Sequence, residues 1–164
     1  MNKSRKKFLP VGVSDFKTVV KECYFVDKTR FIAKLLDQPK TSVSLLTRPR
    51  RFGKTLFLSM ISYFFAINHA NENKNLFTEL EIEKFDQRYM ENQGKYPVIF
   101  LSLKDIYDDT FTGCIDLFAN IIARLYEEFS YILDSNELTT SNKKYFECIE
   151  KHLLLMCSFE RVKA

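Results

Sequence analysis

The feature that most constrains this chain is the seam at Gly53-Lys54-Thr55, where a short apolar run gives way to a long one. Residues 41–47 are β-branched and aliphatic and follow the turn-like Gln38-Pro39-Lys40, so they are expected to form a buried strand. From Lys54 to about Ile67 nearly every face is apolar: Phe57, Ile61, Phe64 and Phe65 make one stripe, and Leu56, Met60 and Tyr63 make another. A helix of that character must be a core element. The seam therefore joins an expected strand to an expected helix through a loop rich in arginine.

A loop of this kind invites a chemical reading. Phosphate binding needs a strand that delivers the chain, a turn whose amides point inward, and a helix whose positive end faces the anion. In the pattern Gly, four residues, Gly-Lys-[Ser/Thr], the last three positions fall on Gly53, Lys54 and Thr55. Gly53 lets the main chain approach phosphate, Lys54 bridges the outer phosphate oxygens, and the Thr55 hydroxyl ligates Mg²⁺. The first glycine position holds Arg48, and Pro49 removes one donor, which leaves the amides of residues 51–55. Arg48, Arg50 and Arg51 can compensate with charge-assisted bonds to phosphate. The spacing alone leaves a second reading open, a basic surface loop that contains Gly-Lys-Thr without binding a nucleotide.

The rest of the chain sets the fold expected around this loop. At 164 residues it has the size of one domain, and four Gly and four Pro favour regular elements over loops. A helix is expected over residues 26–36, capped by Asp27 and closed by Pro39. A polar break follows at 68–75, then a weakly helical stretch at 76–89 ending in Asn92-Gln93-Gly94. Pro97 opens the unbroken apolar run 98–103, expected to be a second strand buried on both faces. Two amphipathic helices are expected at 116–129 and 142–156. This order implies an α/β fold with a parallel sheet flanked by helices. Two strands make a poor sheet alone, so part of the domain is expected to be missing.

Charge and cysteine content narrow the function classes. The net charge of +4 is modest and concentrated at residues 3–7 and 48–54, giving two local patches rather than a basic protein. Residues 1–12 read as a flexible basic leader without the apolar core of an export signal, and no stretch is long enough to span a bilayer, so a cytoplasmic location is expected. Contact of residues 3–7 with nucleic acid is the less favoured reading of that patch. Cys23, Cys114, Cys148 and Cys157 are scattered, without metal-ligand spacing. His69 and His152 have no nearby nucleophile pattern, and Asp108 and Asp109 are better read as helix-start residues than as paired catalytic carboxylates.

Arg48-Pro49-Arg50-Arg51-Phe52-Gly53-Lys54-Thr55-Leu56 resembles the modified Walker A loop, R-P-R-R-F-G-K-[ST]-L, of AAA-ATPase-like proteins, whose P-loop domain commonly precedes a PD-(D/E)XK nuclease-like domain. The resemblance continues upstream through Leu9-Pro10-Val11-Gly12-Val13-Ser14-Asp15-Phe16 and the segment Val26-Asp27-Lys28-Thr29. Downstream it runs through Leu76-Phe77 and Tyr96-Pro97-Val98-Ile99-Phe100. It implies an ATP-binding domain over residues 13–164, with Lys54 catalytic, with Arg48, Arg50, Arg51, Phe52, Gly53, Lys54, Thr55 and Leu56 around ATP, and with Thr55 on Mg²⁺. Asp27, Lys28 and Thr29 are candidates to sit beside the nucleotide, weighed equally against a helix cap. The family's acidic Walker B strand, similar to L-I-D-E-Y-D, is expected after the last helix and is not in the sequence. Asp105 is the nearest substitute and reads better as the solvated end of the second strand. The chain is therefore expected to be a truncated or fragmentary member, in which hydrolysis is doubtful. Nucleic acid enters the resemblance only through the nuclease-like domain, which this sequence lacks. The competing expectations are a basic nucleic-acid-binding module without nucleotide, and an inactive remnant.

Overall fold

Helices begin where side chains take up the free amides of their first turn, and Asp15 shows how the first one is set. Its carboxylate accepts from the Thr18 amide at 2.8 Å and the Thr18 hydroxyl at 2.7 Å, which starts α1, Phe16–Glu22. The structure, a computed structural model, describes residues 7–38, 43–104 and 106–160, with side chains described through residue 151. The Phe16 amide donates to Ser59 Oγ at 3.1 Å, and the Tyr63 hydroxyl donates to Asp15 at 2.8 Å. Both Ser59 and Tyr63 lie on α3, Lys54–Phe65, so polar contacts at the start of α1 tie it to the middle and last turn of α3.

The second helix starts later than the sequence suggests. α2 runs Arg30–Leu36, and its N-cap, Thr29, makes no side-chain cap bond. Asp27 instead accepts from the Thr29 amide at 2.8 Å and hydroxyl at 2.7 Å, and its other oxygen accepts from the Glu81 amide at 2.8 Å. The fully buried Thr29 hydroxyl in turn accepts from the Ile82 amide at 3.0 Å. These two side chains thus cap α5, Glu81–Phe85, from far along the chain.

Between α3 and α5 lie α4, Ala70–Asn73, and a tight turn at Lys74–Phe77, and α6, Gln87–Met90, follows. The expected weak helix over 76–89 is therefore broken into short pieces. Those pieces bring Leu76, Phe77, Ile82 and Tyr89 onto Phe16, Ile32, Met60 and Phe64. Phe77 stacks on Phe16 with centroids 5.1 Å apart and meets Phe64 edge-on at 5.0 Å. Burying each such ring contributes roughly 1.5–3 kcal/mol.

The described residues divide into two compact units, the first ending at Phe100 and the second beginning at Leu101. In the second, α7, Phe111–Glu128, packs against α8, Thr140–Glu160, with Tyr126 and Phe146 rings 4.5 Å apart. Thr110 caps α7 by accepting from the Gly113 amide at 3.0 Å, and Asp108 accepts from the Thr110 amide and hydroxyl, each at 2.8 Å. Both helices begin earlier than their apolar periodicity indicates: α7 opens on the turn that Thr110 caps, and α8 on the polar Thr140-Ser141-Asn142.

The parallel sheet is not there. Among the described residues no strand forms, and the only pairings are isolated parallel bridges, Phe8 with Cys23 and Ala66 with Tyr96. The runs expected as strands stay non-helical but solvent-facing: Leu45 is 84% exposed and Ile99 66%. Thr41 and Ser42 lie outside the described residues. The physical reason is pairing: a helix closes its hydrogen bonds internally, whereas a strand needs a neighbour alongside it. No main-chain hydrogen bond joins 43–47 or 98–102 to another described segment.

Candidate functional site

Residues 48–55 lead into α3 through two left-handed residues, Arg51 at φ 63° and Gly53 at φ 80°. Gly53 is the N-cap, a position where glycine takes that angle without steric cost. Arg51 takes it despite its Cβ, which costs roughly 1–2 kcal/mol. Arg48 does not, so its replacement of glycine brings no positive-φ strain. No hydrogen bond among the described residues uses the main-chain N–H groups of residues 51–55, and the first ladder bond of α3 runs from the Phe57 amide to the Gly53 carbonyl at 2.9 Å.

Lys54 folds back across the loop. Its ammonium donates to the Arg48 carbonyl at 2.7 Å and the Pro49 carbonyl at 2.8 Å. An ammonium carries three donors, so one remains after both bonds are made. The lysine thus closes the loop into a ring of main chain, with its own charge at the rim.

Space opens on either side. One cavity of about 700 Å³ is lined by 10–14 and by Arg51, Phe52, Gly53, Lys54, Thr55 and Leu56. A second, of about 320 Å³, is lined by Phe31, Leu46, Phe52 and Phe57 together with Gly53 and the cations Lys28, Arg48 and Lys54. Every charged side chain in both linings is basic. Phe52, 56% exposed, belongs to both, and its ring lies under Lys28 at 5.6 Å and Arg48 at 5.7 Å.

The sequence-selected residues therefore separate. Arg48, Arg51, Phe52, Gly53, Lys54, Thr55 and Leu56 all line one cavity or the other, while Arg50 is exposed and lines neither. Leu56 also packs against the aromatic core and anchors the loop to it. The segment Asp27-Lys28-Thr29 divides its labour: Asp27 and Thr29 are engaged in capping α5, and Lys28 alone reaches a cavity. His69 lies 3.3 Å from Glu72 and lines neither cavity. Asp105, residues 3–6 and the side chains of His152 and Cys157 lie outside the description. Cys23, Cys114 and Cys148 are free thiols, and no group of metal-binding residues forms among the described ones. Among them, too, no helix is long and apolar enough to cross a membrane.

Sequence reasoning missed the wall formed by residues 10–14 and the aromatic lining of the smaller cavity. Gly12, at φ 77°, turns the chain there, and the Phe8–Cys23 bridge holds the preceding segment. Nothing in the linear pattern could have paired these residues with 51–56, because their approach is made by α1 docking on α3.

Where α1 meets α3, burial alone would raise the Asp15 carboxyl, but hydrogen bonds from Thr18 and Tyr63 outweigh it and hold the group below its ordinary value. Burial, reinforced by the bond to Asp15, pushes the Tyr63 hydroxyl up to about 12.

Comparison with known proteins adds two findings. A family model described as predicted AAA-ATPase matches residues 10–156. An uncharacterized protein in the vnfD 5' region of Azotobacter chroococcum mcd 1 is 41% identical over 81 residues, which is 48% of this chain and 14% of that protein. The chain thus spans a small fraction of that relative's length. No solved structure matches.

Proposed function

This chain belongs to the predicted AAA-ATPase family, and from that premise we propose that it binds ATP through the loop 48–56 at the start of α3. The observation that carries the reading is the charge of the site: the cavities beside the loop are lined by cations without a single carboxylate. The free amides of 51–55 and the positive end of α3 add to the same field. Backbone donors position the phosphates, Arg51 and Lys54 neutralise them, and the carbonyl clasp keeps the Lys54 ammonium oriented before the ligand arrives.

Mg²⁺ would supply charge neutralisation between phosphate oxygens. Thr55 would hold it through its hydroxyl, a reading supported by its place in the lining of the larger cavity. Phosphate oxygens and water complete such a shell. Hydrolysis also needs a group that orients the attacking water. No acidic side chain lines either cavity, so the proposal is one of binding.

The test is thermal. ATP·Mg²⁺ at a hundredfold over its Kd should stabilise the purified chain by about 2.7 kcal/mol, a rise in Tm of roughly 5–10 °C. Lys54→Ala should abolish the rise, with the unliganded Tm of the variant as the control for the lost clasp. A full ligand-dependent shift in Lys54→Ala would overturn the site. DNA affinity that falls steeply with salt and ignores ATP would favour the basic-module reading instead.

A further inference from the structure

The smaller cavity has a chemistry that phosphate binding does not use. Phe31 and Phe57 pack edge to face at 4.8 Å, and Leu46 and Phe52 share the lining with them. At about 320 Å³ this mainly apolar hollow falls at the small end of small-molecule pockets and suits a flat ring. We infer that this hollow seats the base of the nucleotide, with the Phe52 ring as its stacking surface, and that it does not distinguish adenine from guanine. The inference rests on the phosphate-binding reading of the loop and deepens it.

Two observations carry it. First, Phe52, Gly53 and Lys54 belong to both linings, so one ligand can run from the cationic, amide-rich side to the aromatic side without leaving the loop. Phe52 is 56% exposed, and Lys28 and Arg48 over its ring show that its π system draws electron-poor partners, which a planar base can join or displace. Second, the polar side chains in the hollow are Lys28, Arg48 and Lys54, which are donors only. Adenine's exocyclic amine meets no side-chain acceptor there, whereas ring nitrogens, present in both purines, suit the cations. Strong discrimination between bases requires a site built to hydrogen-bond one of them. A stacking surface is tolerant of base identity because every base has a π face.

Titration calorimetry of the full chain with ATP, GTP and inorganic tripolyphosphate, each with Mg²⁺, tests this. ATP and GTP should bind within about threefold of each other, and both about tenfold more tightly than tripolyphosphate, the increment that base stacking supplies. Phe52→Ala should collapse that nucleotide-to-tripolyphosphate ratio towards one, and Phe52→Tyr should restore it. Equal affinity for ATP and tripolyphosphate in the unmodified chain would overturn the inference while leaving the loop reading intact. So would a preference of one purine over the other above about thirtyfold, or a tenfold ratio that survives in Phe52→Ala. Binding of none of the three would overturn the phosphate reading itself.

Discussion

Phe64 and Ile99 both come from runs of strongly apolar residues, yet Phe64 is fully buried and Ile99 is 66% exposed. The difference lies in how each segment satisfies its main chain. α3 closes its own hydrogen bonds, so its side chains need only a surface to pack on, and Phe16 and Phe77 provide one. The run 98–102 must borrow partners for its amides and carbonyls, and among the described residues it finds none on the main chain. Similar apolar content thus yields a core in one place and exposed surface in the other.

The comparison breaks if the two regions respond alike to truncation. Phe64→Ala should cost about 3–5 kcal/mol in chemical denaturation, as expected for a phenylalanine removed from a packed core. Ile99→Ala should stay within about 0.5 kcal/mol; a loss approaching that of Phe64→Ala would show that the run is covered in solution. Next in size is a test of the polar stitching behind the core. Thr29→Val keeps the shape of the side chain but removes the acceptor for the buried Ile82 amide, and should cost about 1–3 kcal/mol by the same measurement.

A smaller effect tests the region where α1 meets α3. Tyr63 is raised from 10.0 to about 12, so its contribution to stability is full below pH 10 and lost as pH climbs through about 12. Asp15 is lowered from 3.8, so its contribution holds above that value and fades as pH falls through the lower folded one. Tyr63→Phe should flatten the alkaline limb of Tm against pH, move the acid limb upward, and cost about 1 kcal/mol at neutral pH, a value softened by partial solvent exposure. The smallest change in folded stability, with the clearest change in solubility, is expected from Ile99→Lys with Leu101→Lys. Charge on an exposed apolar run should lower light scattering at high concentration while leaving the denaturation midpoint nearly fixed.

What the sequence made legible follows the same division. The helix from Lys54 could be read because its signal is local: continuous apolar faces after a glycine cap. Its observed end, Phe65, falls close to the expected one. Spacing singled out the stretch just before that helix, and most of the residues selected there line the two cavities. The strands were misjudged because β-branched composition reports what a segment would do beside a partner, not whether one exists. Asp27 was misplaced for a related reason. Its local pattern matches a helix cap, but its carboxylate is spent on its own Asp27–Thr29 turn and on the Glu81 amide, and no short-range pattern encodes that contact.

The stitch at Asp27 and Thr29 gives the chain a remote gauge. Lys28 faces the aromatic hollow, while its two neighbours grip the amides of Glu81 and Ile82. Any tug on that lysine is shared by hydrogen bonds more than fifty positions away. Deuterium uptake at those two amides would then register events beside the loop without a label ever touching it.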